Sequence, residues 1–223
     1  MRPNARTRIR IVTALLMATL SACTTLAGTE SGTAELSGDR ATATSSPLSG
    51  ATEAGSRVAG AALNLVGRPD LIVDGRRFNY DCTGTILAAY YSAGYDLAAN
   101  FGAYTGNGVR RLYLMADDQG RLQRREPLRP GDIIFWDNSY DMNGDGRWND
   151  ELTHAGIVVD VAADGRVTYV HHNYRRGVVT ATLSPRRPSD SELNSPMRMK
   201  SHRWRESDPW LSGELYRAHG GLY

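Results

Sequence analysis

A short motif around Cys82 places the strongest constraint on how this chain folds. The motif, Tyr80-Asp81-Cys82-Thr83-Gly84, is followed by an apolar run from Ile86 to Tyr91 whose composition favours a helix. We expect the helix to begin directly after the motif, which places Cys82 at its N-terminus. Unpaired backbone N–H groups and the positive end of the helix dipole favour a thiolate there. The sequence therefore predicts a nucleophilic cysteine at the start of a helix.

A thiolate nucleophile needs a base, and the chain has five histidines. His154 opens one strand-like segment and His171 closes the next one. Two adjacent antiparallel strands would bring both imidazoles to one cysteine. His202 and His219 lie in polar or terminal segments, so we expect them at the surface.

Four short motifs follow one another along the chain. They are Asp81-Cys82-Thr83-Gly84, Pro130-Gly131-Asp132 with the apolar strand that follows it, His154-Ala155-Gly156-Ile157-Val158, and Tyr169-Val170-His171. In this order they resemble the NlpC/P60 papain-like cell-wall peptidases over residues 55–180. The resemblance implies an α+β fold in which N-terminal helices carry the cysteine and pack on an antiparallel β-sheet that carries the histidines.

The resemblance also implies an activity, the hydrolysis of peptide or amide bonds in peptidoglycan stem peptides. Cys82 would be the nucleophile, His154 the base, and His171 the residue that orients His154, with a thioester intermediate. No cofactor is needed for this chemistry. His172 competes with His171 for the third role, because neighbouring strand residues face opposite sides and only one of them can serve. Alternation alone does not choose between them, and the family pattern indicates His171.

Two other functions use the same residues. The triad would also support an amidase or acyltransferase acting on a substrate other than peptidoglycan, since the chemistry does not name the acyl group. A non-catalytic envelope lipoprotein that binds cell-wall glycan or a partner is the alternative from another class. A buried core cysteine is the plain structural alternative for Cys82.

The N-terminus indicates export. Residues 1–22 combine a basic start, a short apolar core and small residues before Cys23, which is typical of a lipoprotein signal peptide rather than a membrane span. We expect cleavage before Cys23 and lipid attachment to its thiol. Cys82 is then the one thiol left in an oxidising compartment, which favours a functional role for it.

Residues 23–53 are rich in Thr, Ser, Ala and Gly and predict a flexible tether that precedes the catalytic domain, residues 54–223. We expect a monomer anchored to the cell envelope, on the periplasmic face of the outer membrane in a Gram-negative source. Removing the four arginines of the signal changes the formal net charge from +2 to −2, so the composition does not indicate a nucleic-acid partner.

The periodicity predicts several elements of the domain. A helical face begins near Ala54, the Cys82 helix runs to about Gly94, and another helix covers residues 108–117. Strands are expected at 132–136, 154–161, 166–172 and 177–183, with an Asp164-Gly165 turn between the second and third. The C-terminal extension, residues 184–223, is expected to begin as a surface connection up to residue 209 and to end in a helix over 210–216.

An acidic segment precedes His154. Its Asp141, Asn143 and Asp145, followed by Gly146, match the first half of a calcium-binding loop, in which short oxygen side chains converge around a glycine turn. Arg147 would add its carbonyl oxygen, and Asn149, Asp150 or Glu151 would supply the late ligands, with Asp150 the one we assign. The segment lacks the glutamate that ends an EF-hand loop, and a metal-free Asx-Gly turn explains the same composition. The sequence thus predicts a structural calcium site that would stiffen the loop before His154, and it does not favour zinc.

Overall fold

The computed structural model describes residues 51–125, 127–198 and 205–223. The predicted signal peptide, Cys23, nearly all of the tether and His202 lie outside these ranges. In chain order, the described elements are α1 (Glu53–Leu63), β1 (Ile72–Val73), β2 (Arg76–Arg77), α2 (Cys82–Ser92), a 3-10 helix (Leu97–Ala103), α3 (Gly108–Asp118), β3 (Ile133–Trp136), β4 (His154–Val161), β5 (Val167–Asn173), β6 (Gly177–Leu183) and β7 (Tyr216–Gly220). Within the described ranges, the helices lack the length or the apolar character needed to cross a bilayer.

A five-stranded antiparallel sheet forms the centre of the domain, with the strand order β6-β5-β4-β3-β7. β4 and β5 form a hairpin whose turn contains Gly165 at φ 83°, a conformation that glycine adopts without strain. The pairing continues from Val167 opposite Leu183 to Asn173 opposite Gly177. The sheet and the helices confirm the predicted α+β class and the positions of its main strands.

Each face of the sheet is covered by a different part of the chain. α1, α2 and α3 pack on one face, where Val58, Ile86 and Leu112 join Ile157 and Val170 in one buried cluster. Alternate strand residues face the other side, because successive strand side chains point to opposite faces. There a second cluster is formed by Trp136, Tyr169, Leu183, Leu215 and their neighbours. The position of Cys82 follows from the first packing, since its helix lies across β4 and β5.

The start of α2 is fixed by its own motif. Asp81 is the N-cap, and its Oδ1 accepts a hydrogen bond of 2.7 Å from the backbone N–H of Gly84. A Cβ on Gly84 would lie 1.9 Å from the carbonyl oxygen of Asn79, so only glycine allows the preceding loop to cross the helix this closely. The prediction that the helix begins at Cys82 is therefore confirmed.

The C-terminal extension differs from the prediction in two ways. Residues 210–216 do not form a helix, because turns over 212–215 lead into β7, which pairs with the edge of β3. Residues 184–198 are not a mere surface connection, since Asn194 and Arg198 are buried and Met197 packs against the second cluster. Pairing with an open sheet edge outweighs the local helical pattern of this segment.

His219 is buried at 1% exposure and not at the surface as predicted. It lies in β7 opposite Ile134, and its Nδ1 is 2.6 Å from the hydroxyl of Tyr216. Its terminal position in the sequence suggested exposure, but entry of the chain end into the sheet buries it. After β7, the hydroxyl of Tyr223 donates to the carbonyl of Pro130 at 3.4 Å.

Candidate active site

Cys82 is the first residue of α2 and a free, partly exposed cysteine. The backbone N–H groups of Thr83 and Ala155 are near enough to its sulfur to lower the pKa of Cys82 in part. Ala155 is the second residue of β4, directly after His154. The packing of α2 on the sheet thus brings the thiol to the strand end that carries the predicted base.

A cavity of about 510 Å³ opens at this point, a volume suited to a short peptide or a similar small ligand. The three predicted catalytic residues and His172 all line it. The full lining consists of Tyr80, Asp81, Cys82, Ser139, Tyr140, Thr153, His154, His171, His172, Asn173, Tyr174, Pro196 and Met197. The elements that contribute are the start of α2, the ends of β4 and β5, the loop between β3 and β4, and the C-terminal extension.

His154 and His171 are joined directly. Nε2 of His154 lies 2.8 Å from Nδ1 of His171 across the two strands. The Trp136 ring lies 5.8 Å from the His154 ring, and the Tyr169 ring lies 5.3 Å from the His171 ring, so aromatic contacts hold both imidazoles. Nδ1 of His154 can accept a proton only when the shared proton sits on Nε2, which requires His171 to act as the acceptor.

The surroundings of these three groups favour their neutral forms. Burial, followed by the negative charge of Asp81, raises the pKa of Cys82 to about 11. Burial lowers the pKa of His154 to about 4, and it lowers the pKa of His171 well below its usual value. Burial and the charge of Asp81 thus shift the pKa of Cys82 in the direction opposite to the effect expected of the helix terminus, and a thiolate at the helix start stays a prediction.

His172 lies beside the pair but makes different contacts. Its ring packs edge-on against Tyr80, with centroids 4.6 Å apart. Burial lowers the pKa of His172, and the charge of Asp81 opposes this shift. Its Nε2 is buried and makes no hydrogen bond within the described part of the chain. The structure thus places His171, and not His172, in hydrogen-bonding distance of His154.

Several lining residues were not predicted from the sequence. Tyr140, Tyr174, Pro196 and Met197 come from loops and from the C-terminal extension, where no periodic pattern indicates a site. Tyr80 is different, because it belongs to the cysteine motif itself. Its hydroxyl donates to the carbonyl of Arg68 at 2.7 Å, which fixes the ring at the cavity edge.

The acidic loop forms a series of Asx turns. Oδ1 of Asn143 accepts from the N–H of Asp145 at 2.9 Å, and Oδ1 of Asp145 accepts from the N–H of Arg147 at 2.9 Å. Asp141 accepts from two backbone N–H groups, and Asp150 is buried with its own N–H bonded to Asn138. Across residues 51–125, 127–198 and 205–223, no three His, Cys, Asp or Glu side chains form a group that could hold a metal ion. The Asn143 side chain and the Arg147 carbonyl would have to complete any calcium shell, and calcium binding stays a prediction.

The fold and the cavity define a class of site: a cysteine at a helix start beside a hydrogen-bonded histidine pair on an antiparallel sheet, in an α+β domain. Comparison with known proteins adds a relative. The chain is 32% identical over 118 residues to the peptidoglycan DL-endopeptidase CwlO of Bacillus licheniformis. The aligned part covers 53% of this chain and 20% of that protein, so the chain spans only about a fifth of its relative. No protein-family model matches the chain.

Proposed function

We propose that this chain is an NlpC/P60-type cysteine hydrolase that cleaves peptide or amide bonds in peptidoglycan. The observation that carries the proposal is the hydrogen-bonded pair His154 and His171 in one cavity with Cys82. The similarity to part of a peptidoglycan endopeptidase supports both the family and the substrate. The fold, the chemistry of the cavity and this similarity all favour the same activity.

The resting pair is a neutral thiol and a neutral imidazole, so proton transfer accompanies attack. The Cys82 sulfur bonds to the substrate carbonyl carbon while Nδ1 of His154 takes the thiol proton. Nδ1 of His171 accepts a hydrogen bond from the Nε2–H of His154, and this bond stabilises the imidazolium that forms. The carbon–nitrogen bond then breaks, and His154 returns the proton to the leaving amine.

Water completes the cycle. His154 removes a proton from a water molecule, the resulting oxygen attacks the thioester carbonyl, and the thiol leaves with that proton, which releases a carboxylic acid. The oxyanion of each tetrahedral intermediate needs nearby donors. The N–H of Gly84 is bonded to Oδ1 of Asp81, so the N–H groups of Cys82 and Thr83 at the start of α2 are the candidate donors.

A mass-spectrometric digest tests the proposal. Purified peptidoglycan is incubated with the wild-type protein and with Cys82→Ala, and the soluble fragments are compared. We expect new muropeptides from the wild type that are absent with Cys82→Ala. His172→Ala is the matched control and should retain cleavage. Absence of fragments from folded wild-type protein would contradict the proposal and favour another acyl substrate or a binding role.

The N-terminal sequence supports a further part of the proposal, that the enzyme is exported and anchored by a lipid on Cys23. This part rests on residues 1–23 alone. Metabolic labelling with a radioactive fatty acid tests it in cells expressing the full chain. Label should enter the wild type and be lost in Cys23→Ala.

A further inference from the structure

Five arginines border two neighbouring cavities that the proposed catalysis does not use. The larger cavity has a volume of about 280 Å³ and the smaller one about 130 Å³, and Pro127 lines both, so the two adjoin. The arginines are Arg121 and Arg129 in the larger cavity, and Arg124, Arg125 and Arg186 in the smaller one. We call the surface formed by these five arginines the basic face.

Ion pairs do not neutralise the basic face. All five arginine side chains are exposed, and no side chain in the part of the chain that the structure describes forms an ion pair or a hydrogen bond with their guanidinium groups. Other exposed arginines are paired, Arg57 with Glu53 at 3.0 Å and Arg76 with Asp96 at 2.8 Å. Among the described residues, Asp132 is the one acid that lines either cavity, and it is buried. The basic face therefore attracts a negatively charged partner.

The basic face and the catalytic cavity lie at opposite ends of the sheet. β4 begins with His154 in the catalytic cavity and ends with Val161, which lines the smaller basic cavity. A strand of eight residues spans about 23 Å at a rise of about 3.3 Å per residue. β5 runs the opposite way, from Val167 in the smaller basic cavity toward His171. A partner on the basic face thus lies across the domain from Cys82.

The predicted tether joins the domain beside the basic face. Thr52, the N-cap of α1, lines the larger cavity together with Arg121 and Arg129. Residues 23–53 are the predicted connection to a lipid on Cys23, so the predicted anchor is attached at the end of the domain that carries the arginines. Clusters of basic side chains bind anionic phospholipid surfaces, and the planar guanidinium suits their phosphate groups. The charge and the point of attachment together favour a membrane over other anionic partners.

We propose that the basic face docks on an anionic phospholipid surface and thereby turns the catalytic cavity away from the membrane, toward the cell wall. The partner is the phosphate-bearing headgroup layer of the membrane that would hold the anchor. At physiological salt this attraction acts over about 8–10 Å, which includes the five arginines and excludes the catalytic cavity. The inference goes beyond hydrolysis, because it assigns an interaction surface that no catalytic step uses.

Vesicle co-sedimentation tests the docking. The protein is residues 23–223 with Cys23→Ser, which keeps every described helix and strand and excludes both the predicted signal and the lipid. We expect it to bind vesicles of equal parts phosphatidylcholine and phosphatidylglycerol, to bind them more weakly as salt rises, and not to bind phosphatidylcholine alone. Arg124→Gln/Arg125→Gln should bind the anionic vesicles about 30-fold more weakly than this parent protein.

A matched control removes the same charge at the other end of the sheet. Arg175 and Arg176 are also consecutive and exposed, and they lie in the turn between β5 and β6, at the catalytic end. Arg175→Gln/Arg176→Gln should bind anionic vesicles like the parent protein. Equal affinities of the two double variants would overturn the inference, as would a folded parent protein, checked by circular dichroism, that does not bind anionic vesicles. Binding to soluble polyphosphate but not to vesicles would also overturn it and assign the basic face to a free phosphate polymer.

A fluorescent label tests the orientation. In the same protein with Cys82→Ala, one label is attached through Asp164→Cys, in the turn beside the smaller basic cavity, and another through Tyr174→Cys, at the catalytic cavity. Tyr174 is 81% exposed, so its replacement disturbs little packing. On anionic vesicles the label at position 164 should be protected from quenching by acrylamide, while the label at position 174 stays accessible. Equal protection, or protection of position 174 alone, would overturn the orientation.

These measurements are independent of the proposed hydrolase activity, because neither involves turnover. If the wild type cleaves peptidoglycan and the parent protein ignores anionic vesicles, the docking fails and the hydrolase stands. If the wild type cleaves nothing and vesicle binding depends on Arg124 and Arg125, the docking stands and the hydrolase fails.

Discussion

Nε2 of His154 lies 2.8 Å from Nδ1 of His171. When His154 is the donor in this contact, its Nδ1 is free to take the thiol proton. We expect His171→Ala to lower kcat by about 10²–10⁴-fold, because the imidazole then loses its fixed tautomer and orientation. Steady-state kinetics on the digest-derived peptide measures the loss. The paired variant His172→Ala should stay within a few-fold of wild type, and the reverse ranking would assign the third role to His172.

The pH profile follows from the neutral resting pair. His154 is the active base only when unprotonated, and burial lowers its pKa to about 4. We therefore expect kcat/KM to fall as the pH drops through about 4, with a plateau from pH 6 to 8. A fall centred near pH 6.5, the usual histidine value, would show that His154 is not buried as described.

Folding must be followed over the same range. The folded protein holds His154 neutral, whereas the unfolded chain takes up a proton near pH 6.5. This histidine therefore reduces stability as the pH falls from about 6.5 toward 4. Asp132 acts in the opposite direction, because burial raises its pKa to about 6 and the folded state binds its proton first. Circular dichroism at each pH separates loss of the base from loss of the fold.

Asp81 caps the helix that begins at Cys82, and its negative charge raises the pKa of that cysteine. Asp81→Asn keeps an N-cap acceptor and removes the charge that raises the cysteine pKa, so the pKa should fall below about 11. The rate of iodoacetamide alkylation against pH reports this shift. Asp81→Ala removes the charge and the cap together, and we expect it to cost about 1 kcal/mol of the free energy of unfolding in addition. Equal cysteine pKa values in wild type and Asp81→Asn would contradict the assignment.

Adding or removing calcium tests the prediction that the acidic loop binds this ion. We expect calcium to raise the Tm of the wild type, by an amount equivalent to about 2.7 kcal/mol at a concentration 100-fold above Kd. Asp145→Ala should abolish the increase. Asp164→Ala is the matched control, since Asp164 accepts a similar turn bond from the N–H of Arg166 but has no calcium-loop spacing. An identical Tm with calcium and with chelator would show that the loop binds no calcium and is held by its Asx turns alone.

Local patterns were sufficient for the elements that carry the motifs. Apolar runs bounded by turn residues placed β4 and β6 at the bounds found in the structure, and the cysteine motif placed the start of α2. Asp74-Gly75 is a turn signal of the same kind, and it does connect β1 and β2 with positive φ at both residues. That short hairpin was accessible to the same reasoning and was missed.

Long-range pairing explains what the sequence did not indicate. β7 forms because β3 has an open edge, and Tyr216 and His219 are separated from β3 by 80 or more residues along the chain. Met197 lines the cavity next to Arg198, whose guanidinium donates to the carbonyl of Asn138, 60 residues earlier in the chain. The high pKa of Cys82 likewise depends on burial by the folded domain, and a helix terminus considered alone predicts the opposite shift.

The hydroxyl of Tyr223 lies 2.9 Å from the point where a Cβ on Gly55 would stand, so Tyr223 lies against the first turn of α1. A short glycine linker could thus join Tyr223 to the start of α1. New ends could then be opened in the exposed turn at Asp164, between β4 and β5. Such a circular permutant would keep all the strand pairings of the sheet while reversing which half of the domain is synthesised first. The permutant would therefore test whether the cavity forms independently of the order in which the two halves of the domain are synthesised.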